Sequence, residues 1–169
     1  MNVWTISDTH FFHSNIIKHC SRPFNSSEDM NRFMIEKWNS VVKENDLVIH
    51  CGDFALCSRE KFDPLIRSLN GRKVLIKGNH DARSWRFYID NNRFSMVCKY
   101  FSLKGVLFTH RPADFFSLTH EENINVHGHI HNLDRESGFD TSDQKRINVS
   151  VEKIDYTPVN FDDILARRD

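Results

Sequence analysis

Five short apolar runs, each rich in β-branched residues, end in a polar segment that carries aspartate, asparagine or histidine. Such runs are typical of buried strands, and open α/β sheets place their sites at the carboxyl ends of their strands. Side by side, these strands would bring the polar ends together at one edge. The runs and their polar ends are Val3–Ser7 before Asp8-Thr9-His10, Leu47–Cys51 before Gly52-Asp53, Lys73–Lys77 before Gly78-Asn79-His80-Asp81, Val106–Phe108 before Thr109-His110, and Ile124–Val126 before His127-Gly128-His129-Ile130-His131.

Helical patterns separate the early strands, and further strand patterns cluster later in the chain. This order favours a layered mixed α/β domain with parallel and antiparallel pairing. The predicted helices are Ser14–His19, a run from Ser27 to about Val42, Ser58–Leu69, Ser84–Asn91 and Asn160–Arg167. The later predicted strands are Phe94–Leu103 and Arg146–Glu152, with a helical turn at Pro112–Thr119 and a polar loop at Asn132–Lys145.

Length and composition predict one domain over residues 1–169, with enough chain for a proper core. Lys+Arg and Asp+Glu both number 23, so no overall basic field would attract a long polyanion. The four cysteines have irregular spacing, which favours reduced thiols over disulfides. With no signal peptide and no apolar run near the ~20 residues that span a bilayer, we expect a cytoplasmic protein without membrane contact.

The polar strand ends carry side chains that suit divalent metal ions. Carboxylate and amide oxygens and imidazole nitrogens bind borderline divalent metals. Asp53 can bridge two ions because its carboxylate has two oxygens. Seven ligands exceed the needs of one ion but suit two, and two ions roughly 3.5–4 Å apart form a clamp for phosphoryl displacement. The seven candidate ligands are Asp8, His10, Asp53, Asn79, His110, His129 and His131.

These blocks, in this order, resemble the calcineurin-like metallophosphoesterase superfamily. Its D-x-H, G-D, G-N-H-[DE], lone His and G-H-x-H blocks all occur here between Asp8 and His131. The resemblance implies a four-layer αββα sandwich, with mixed β-sheets flanked by helices and a dinuclear site at one edge. It implies that Asp8, His10, Asp53 and His131 hold one metal. It implies that Asp53, Asn79, His110 and His129 hold the other, with Asp53 bridging.

The resemblance also implies catalytic roles. His80 would face the substrate and protonate the leaving group, while Asp81 would orient His80 and favour its cationic form. His13, Arg83 and Arg111 follow the motif residues closely and are candidates to contact the substrate. Mn²⁺ is the favoured cofactor, although Fe, Zn²⁺, Ni²⁺ and Co²⁺ accept the same ligands.

The expected function is metal-dependent hydrolysis of a phosphodiester or phosphomonoester, such as a nucleotide or another small metabolite. The chain is short and contains no insertion large enough for a cap domain. Three alternatives stay open: a nuclease acting on DNA or RNA, a phosphoesterase-like scaffold that binds protein partners without catalysis, and a protein phosphatase. The sequence leaves the oligomeric state undetermined.

Overall fold

The computed structural model describes residues 1–113, 124–132 and 145–168. The strands are β1 Val3–Ile6, β2 Leu47–His50, β3 Arg72–Ile76, β4 Met96–Cys98, β5 Tyr100–Leu103, β6 Val106–Thr109, β7 Ile124–His127, β8 Arg146–Asn148 and β9 Val159–Asn160. The α-helices are α1 Ser14–His19, α2 Ser27–Val41, α3 Arg59–Ser68, α4 Trp85–Ile89 and α5 Phe161–Leu165. Short 3₁₀ turns cover Asp90–Asn92, Val151–Lys153 and Ala166–Arg168.

The strands form two mixed sheets, as expected for this fold class. The first has the order β4-β3-β2-β1-β9, in which the first four strands are parallel and β9 is antiparallel. The second has the order β5-β6-β7-β8, in which β5 is antiparallel to β6 and the remaining pairs are parallel. The fold is therefore mixed α/β, with two mixed sheets flanked by helices.

Alternate residues of the first sheet belong to two different cores, because successive side chains of a strand point to opposite faces. Val48 and Leu75 pack with residues of α2 and α3, including Trp38. Ile49 and Ile76 instead pack with Val106, Phe108 and other apolar residues of the second sheet. Burial on both faces explains why these strands read as continuous apolar runs in the sequence.

Two late elements differ from the prediction. Phe94–Leu103 was expected as one strand, but the chain crosses between the sheets at Lys99, so that β4 pairs with β3 and β5 pairs with β6. The strand expected at Arg146–Glu152 ends at Asn148 and continues into a 3₁₀ turn. Between them Ser150 forms a parallel bridge with Ser7, which joins the two sheets beside the end of β1.

Two further expectations lie largely outside the described residues, namely the helical turn at Pro112–Thr119 and the loop at Asn132–Lys145. Within the described ranges, no helix is long and apolar enough to cross a membrane. All four cysteines are free thiols, with Cys20 and Cys51 buried.

Candidate metal centre

The loops that follow the strands are held together by main-chain hydrogen bonds. The amide of Asp8 donates to the Gly52 carbonyl at 3.0 Å, and the amide of His10 donates to the Asp53 carbonyl at 3.0 Å. In the second sheet, the amide of Gly128 donates to the His110 carbonyl at 3.0 Å. Parallel strands ending at a common edge thus place the polar segments side by side, as the sequence predicts.

One group of ligand atoms comes from the D-x-H loop and the last histidine of the G-H-x-H block. Asp8, His10 and His131 each offer one ligand atom, and these atoms lie within 4.8 Å of one another. His10 Nε2 is 3.9 Å from Asp8 Oδ1, and His131 Nε2 is 3.7 Å from the same oxygen. His10 Nε2 is also 3.5 Å from Asp53 Oδ2, so Asp53 borders this group.

A second group combines Asp53, His110 and His129, whose ligand atoms also lie within 4.8 Å of one another. His110 Nδ1 donates to the Cys51 carbonyl at 2.8 Å, so in the neutral ring Nε2 carries the lone pair. That nitrogen lies 2.9 Å from Asn79 Oδ1 and 3.5 Å from Asp53 Oδ2. Three acceptor atoms therefore face the same space, an arrangement that a cation stabilises.

A single oxygen of Asp53 faces both groups. Its Oδ2 lies 3.5 Å from Nε2 of His10 and 3.5 Å from Nε2 of His110. Its Oδ1 is engaged elsewhere, because it accepts the main-chain N–H of His80 at 2.8 Å. Asp53 is thus placed to contribute to both groups, and Oδ2 is the oxygen that faces both histidines. Its role as a bridging ligand stays a prediction.

The buried polar atoms fit bound cations. Asp8 Oδ1 and His10 Nε2 are buried and have no hydrogen-bond partner among the described residues. Buried polar atoms are rarely left unpaired, because each costs about 1–3 kcal/mol. The other oxygen of Asp8 is satisfied, since Oδ2 accepts from the amide of His129 at 2.9 Å and the hydroxyl of Ser150 at 3.0 Å. These bonds leave Oδ1 free to bind an ion.

Burial and neighbouring charges shift the pKa values of the candidate ligands. Burial lowers the pKa of His10 well below its usual range and, together with the nearby His110, lowers the pKa of His129 to about 4. Both rings are therefore neutral near pH 7 and can offer lone pairs. Burial raises the pKa of Asp53 to about 6. For His131, burial lowers the pKa, but hydrogen bonds with Cys20 and Glu152 and the charge of Asp8 outweigh burial and raise it to about 10.

Asp81 does not orient His80, contrary to the sequence-based expectation. Its carboxylate accepts three main-chain N–H groups: those of Asp53 at 2.8 Å, Phe54 at 3.0 Å and Gly78 at 2.9 Å. The His80 ring is not among the hydrogen-bond partners found for Asp81 in the described part of the chain. Asp81 is buried between the segments that follow β2 and β3, and its carboxylate fixes the main chains of both segments.

His80 and His13 lie at the open side of the cluster. The exposed His80 ring has its centroid 5.2 Å from that of His10 and 5.9 Å from that of His13. His13 is the N-terminal cap residue of α1, and its Nδ1 is 3.3 Å from Nδ1 of His10. Both rings could therefore contact a substrate that lies over the ligand groups.

The two candidate arginines occupy different surroundings. Arg83 donates to the Cys57 carbonyl at 2.9 Å, and its guanidinium lies 4.7 Å from the centroid of the Phe87 ring. The structure thus engages Arg83 with its own neighbourhood. Arg111 is exposed next to His110, and its charge contributes to the lowered pKa of His129. The charge of Arg111 therefore acts on one of the candidate ligands.

Sequence reasoning missed several residues that support the site. His50 was given no role, yet Nε2 of this buried ring lies 3.0 Å from Thr9 Oγ1, and its Nδ1 accepts the Gly52 amide at 3.1 Å. Burial lowers the pKa of His50 to about 3, so the ring is neutral and links two motif loops. The Ser150 hydroxyl supports Asp8 by donating to its Oδ2. The only sequence signal for His50 was its place near the end of the apolar run that precedes the G-D block.

Arg22 and Glu152 also lie behind the candidate ligands. Glu152 Oε1 is 3.0 Å from Nδ1 of His131 and 2.7 Å from Nη2 of Arg22. Cys20, His131 and Glu152 form a third cluster of ligand atoms within 4.8 Å. Because the Arg22 cation already binds Glu152 there, this third cluster is a poor site for another cation.

The sequence and the fold are similar to those of known proteins. Residues 1–149 match the model of the calcineurin-like phosphoesterase superfamily domain. The chain belongs to this superfamily. It is 42% identical over 164 residues to the uncharacterized protein MJ1445 of Methanocaldococcus jannaschii, an alignment that covers 95% of this chain and 87% of that protein. It also resembles the crystal structure of AQ665, a protein of unknown function from Aquifex aeolicus, with 27% identity, a TM-score of 0.77 and 98% of each chain covered.

Membership of the calcineurin-like phosphoesterase superfamily suggests metal-dependent phosphoester hydrolysis. The superfamily generally binds divalent metals, and this chain has the ligand groups for them. The two relatives carry no assigned function, so their names indicate no substrate.

Gly128 packs closely against Asp8, and this contact provides a first test of the candidate metal centre. A Cβ atom on Gly128 would lie 2.0 Å from Asp8 Oδ2 and 2.0 Å from Ser7 Oγ. We expect Gly128→Ala to displace Asp8, to weaken Mn²⁺ binding and to lower stability by about 1–3 kcal/mol, typical of overpacking. Isothermal titration calorimetry and thermal unfolding measure the two effects.

Gly71→Ala is the matched control for Gly128→Ala. The φ of Gly71 is +81°, so an alanine there would be strained. The nearest neighbours of Gly71, Val42 and the Asp46 carbonyl, belong to the opposite end of the sheet. We expect this variant to lose stability while its Mn²⁺ affinity stays unchanged. Unaltered Mn²⁺ affinity in Gly128→Ala would contradict the placement of Asp8 in the centre.

Proposed function

We propose that this protein hydrolyses phosphoesters with two bound divalent cations. In this proposal Asp8, His10, Asp53 and His131 hold one ion, while Asp53, Asn79, His110 and His129 hold the other. The observation that carries the proposal is the position of Asp53 Oδ2, at 3.5 Å from a histidine nitrogen of each group. Asp8 Oδ1 and His10 Nε2 have no hydrogen-bond partner within the described ranges, which further supports a cation.

When bound, two cations supply a nucleophile derived from water and neutralise charge on the phosphoryl oxygens. The protein supplies the remaining parts. His80 is exposed at the open side of the ligand groups and donates a proton to the leaving oxygen. Its main chain is fixed by the bond to Asp53 Oδ1, so the position of the acid is coupled to the ligand between the groups.

We further propose that the substrate is a small phosphodiester or phosphomonoester such as a nucleotide, and that Mn²⁺ is the preferred ion. Asn79 and His80 are both exposed, so the site admits a substrate from solvent. His13 and Arg111 are the side chains proposed to contact the substrate phosphate or its substituent. The formal net charge of zero favours a small substrate over a long nucleic acid.

The test compares bis-p-nitrophenyl phosphate with p-nitrophenyl phosphate, using chelator-treated protein before and after addition of Mn²⁺. We expect hydrolysis to depend on Mn²⁺ and to be restored by it. Preference for the diester would direct the search to nucleotide diesters, and preference for the monoester would direct it to phosphatase substrates. Absence of hydrolysis in protein shown to hold two ions would contradict the proposal and favour a binding scaffold.

A further inference from the structure

Arg22 is a buried cation that lies behind the loop carrying Asp8 and His10. Its side chain is 0% exposed. Nη2 donates to the Asp8 carbonyl at 2.7 Å, and Nη1 donates to the Thr9 carbonyl at 3.0 Å and to Met30 Sδ at 3.3 Å. The two bonds to carbonyl oxygens tie the guanidinium to the main chain of the D-x-H loop.

The remaining donors of Arg22 bind one oxygen of Glu152. Nε donates to Oε1 at 2.8 Å, and Nη2 lies 2.7 Å from the same oxygen. All five N–H groups of the guanidinium are thereby used. Such a fork fixes a carboxylate more rigidly than a lysine could, because lysine offers a single flexible ammonium group.

Glu152 in turn fixes the ring of His131. Its Oε1 lies 3.0 Å from Nδ1 of His131, so in the neutral ring that binds a metal Nδ1 carries the proton and Nε2 carries the lone pair. That Nε2 faces Asp8 Oδ1 at 3.7 Å. A carboxylate that accepts the second N–H of a metal-binding histidine sets both its tautomer and its orientation.

We infer that Arg22 and Glu152 are positioning residues for the ion held by Asp8, His10 and His131. This inference rests on the proposed function, because it assigns that cluster to a metal. The family match ends at residue 149, so Glu152 lies beyond the segment that the family model describes. A residue at the C-terminal side of the fold thus completes a centre whose first ligand is Asp8.

The test measures Mn²⁺ binding to chelator-treated protein by isothermal titration calorimetry. We expect two sites in the wild type. In Glu152→Ala, we expect the affinity of one site to fall about 10–100-fold, the usual cost of removing such a partner. We expect the other site to stay within about twofold, because its ligands His110 and His129 do not contact Glu152.

Glu152→Gln separates positioning from a general loss of structure. Glu152 Oε2 has no hydrogen-bond partner among the described residues, so an amide NH₂ can replace it without facing a second donor. The amide oxygen can then keep the bonds to Arg22 and His131. We expect the glutamine variant to retain most of the Mn²⁺ affinity that the alanine variant loses.

Arg93→Met is the matched control for Arg22→Met. Arg93 is also a buried arginine with a paired carboxylate, Asp63, and a bond to a main-chain carbonyl, that of Phe87. We expect only Arg22→Met to weaken one Mn²⁺ site, although both variants lose stability. Thermal unfolding of the metal-free proteins measures that shared loss separately.

Wild-type affinity at both sites in Glu152→Ala would overturn the inference, and so would an equal loss in Arg93→Met. Since the readout is metal affinity, a protein that binds both ions without hydrolysing phosphoesters would overturn the proposed function alone. The difference between Glu152→Ala and the wild type would still decide the positioning role.

Discussion

Asp53→Asn is expected to remove one or both Mn²⁺ ions and nearly all metal-dependent hydrolysis. The asparagine oxygen can keep the bond from the His80 amide that Asp53 Oδ1 accepts now. Its NH₂ group would then replace Oδ2, the atom that faces both His10 and His110. An amide NH₂ cannot bind a cation, and a lost cation removes several kcal/mol of transition-state stabilisation. We therefore expect turnover to fall by about 100-fold or more, which steady-state kinetics and metal analysis will measure.

Asp46→Asn is the matched control for this substitution. Asp46 is also buried, and it accepts the Asn2 amide at 2.7 Å, the Trp4 indole at 3.1 Å and the Lys43 amide at 3.1 Å. It precedes the first residue of β2, whereas Asp53 follows the last one. We expect Asp46→Asn to lose stability and to bind two ions. Full Mn²⁺ occupancy in Asp53→Asn would contradict the bridging role.

His80→Asn is expected to lower turnover by about 10²–10⁴-fold while the metal content stays unchanged. That range is the usual contribution of a general acid. Asparagine keeps the main-chain bond to Asp53 but cannot donate a proton as an acid. Steady-state kinetics and metal analysis on the same protein sample measure the turnover and the metal content.

A series of leaving groups gives this prediction a control that a structural role would not reproduce. If His80 protonates the leaving oxygen, its removal should harm alkyl esters more than p-nitrophenyl esters, because p-nitrophenolate leaves without a proton. An equal loss across the series would contradict the role of acid. Loss of both ions from His80→Asn would show that the side chain acts on the metals instead.

The proximity of the candidate ligands was predictable from sequence because each lies in a polar segment that follows a strand. Parallel strands end at a common edge, so Asp8, Asp53 and Asn79 had to come close once their strands were recognised. The break between β4 and β5 was not predictable, because apolar residues continue on both sides of Lys99 while the chain changes sheets. Local patterns do not report which sheet a strand joins.

The contacts that support the candidate ligands were not predictable from sequence, because they join residues far apart in the chain. Arg22 and Glu152 are separated by 130 positions, and no periodicity links them. Asp81 follows His80 directly, yet its carboxylate points into the main chain of two loops rather than to its neighbour. Adjacent residues of a turn can face opposite directions, so proximity in sequence was a poor guide to the role of Asp81.

The most direct test of the two-ion centre is a crystal structure of the Mn²⁺-loaded protein with anomalous scattering. We predict two manganese peaks about 3.5–4 Å apart. One should lie among Asp8, His10 and His131, the other beside His110 and His129, with Asp53 Oδ2 between them. A single peak, or a peak at Cys20 and Glu152 instead, would contradict the account.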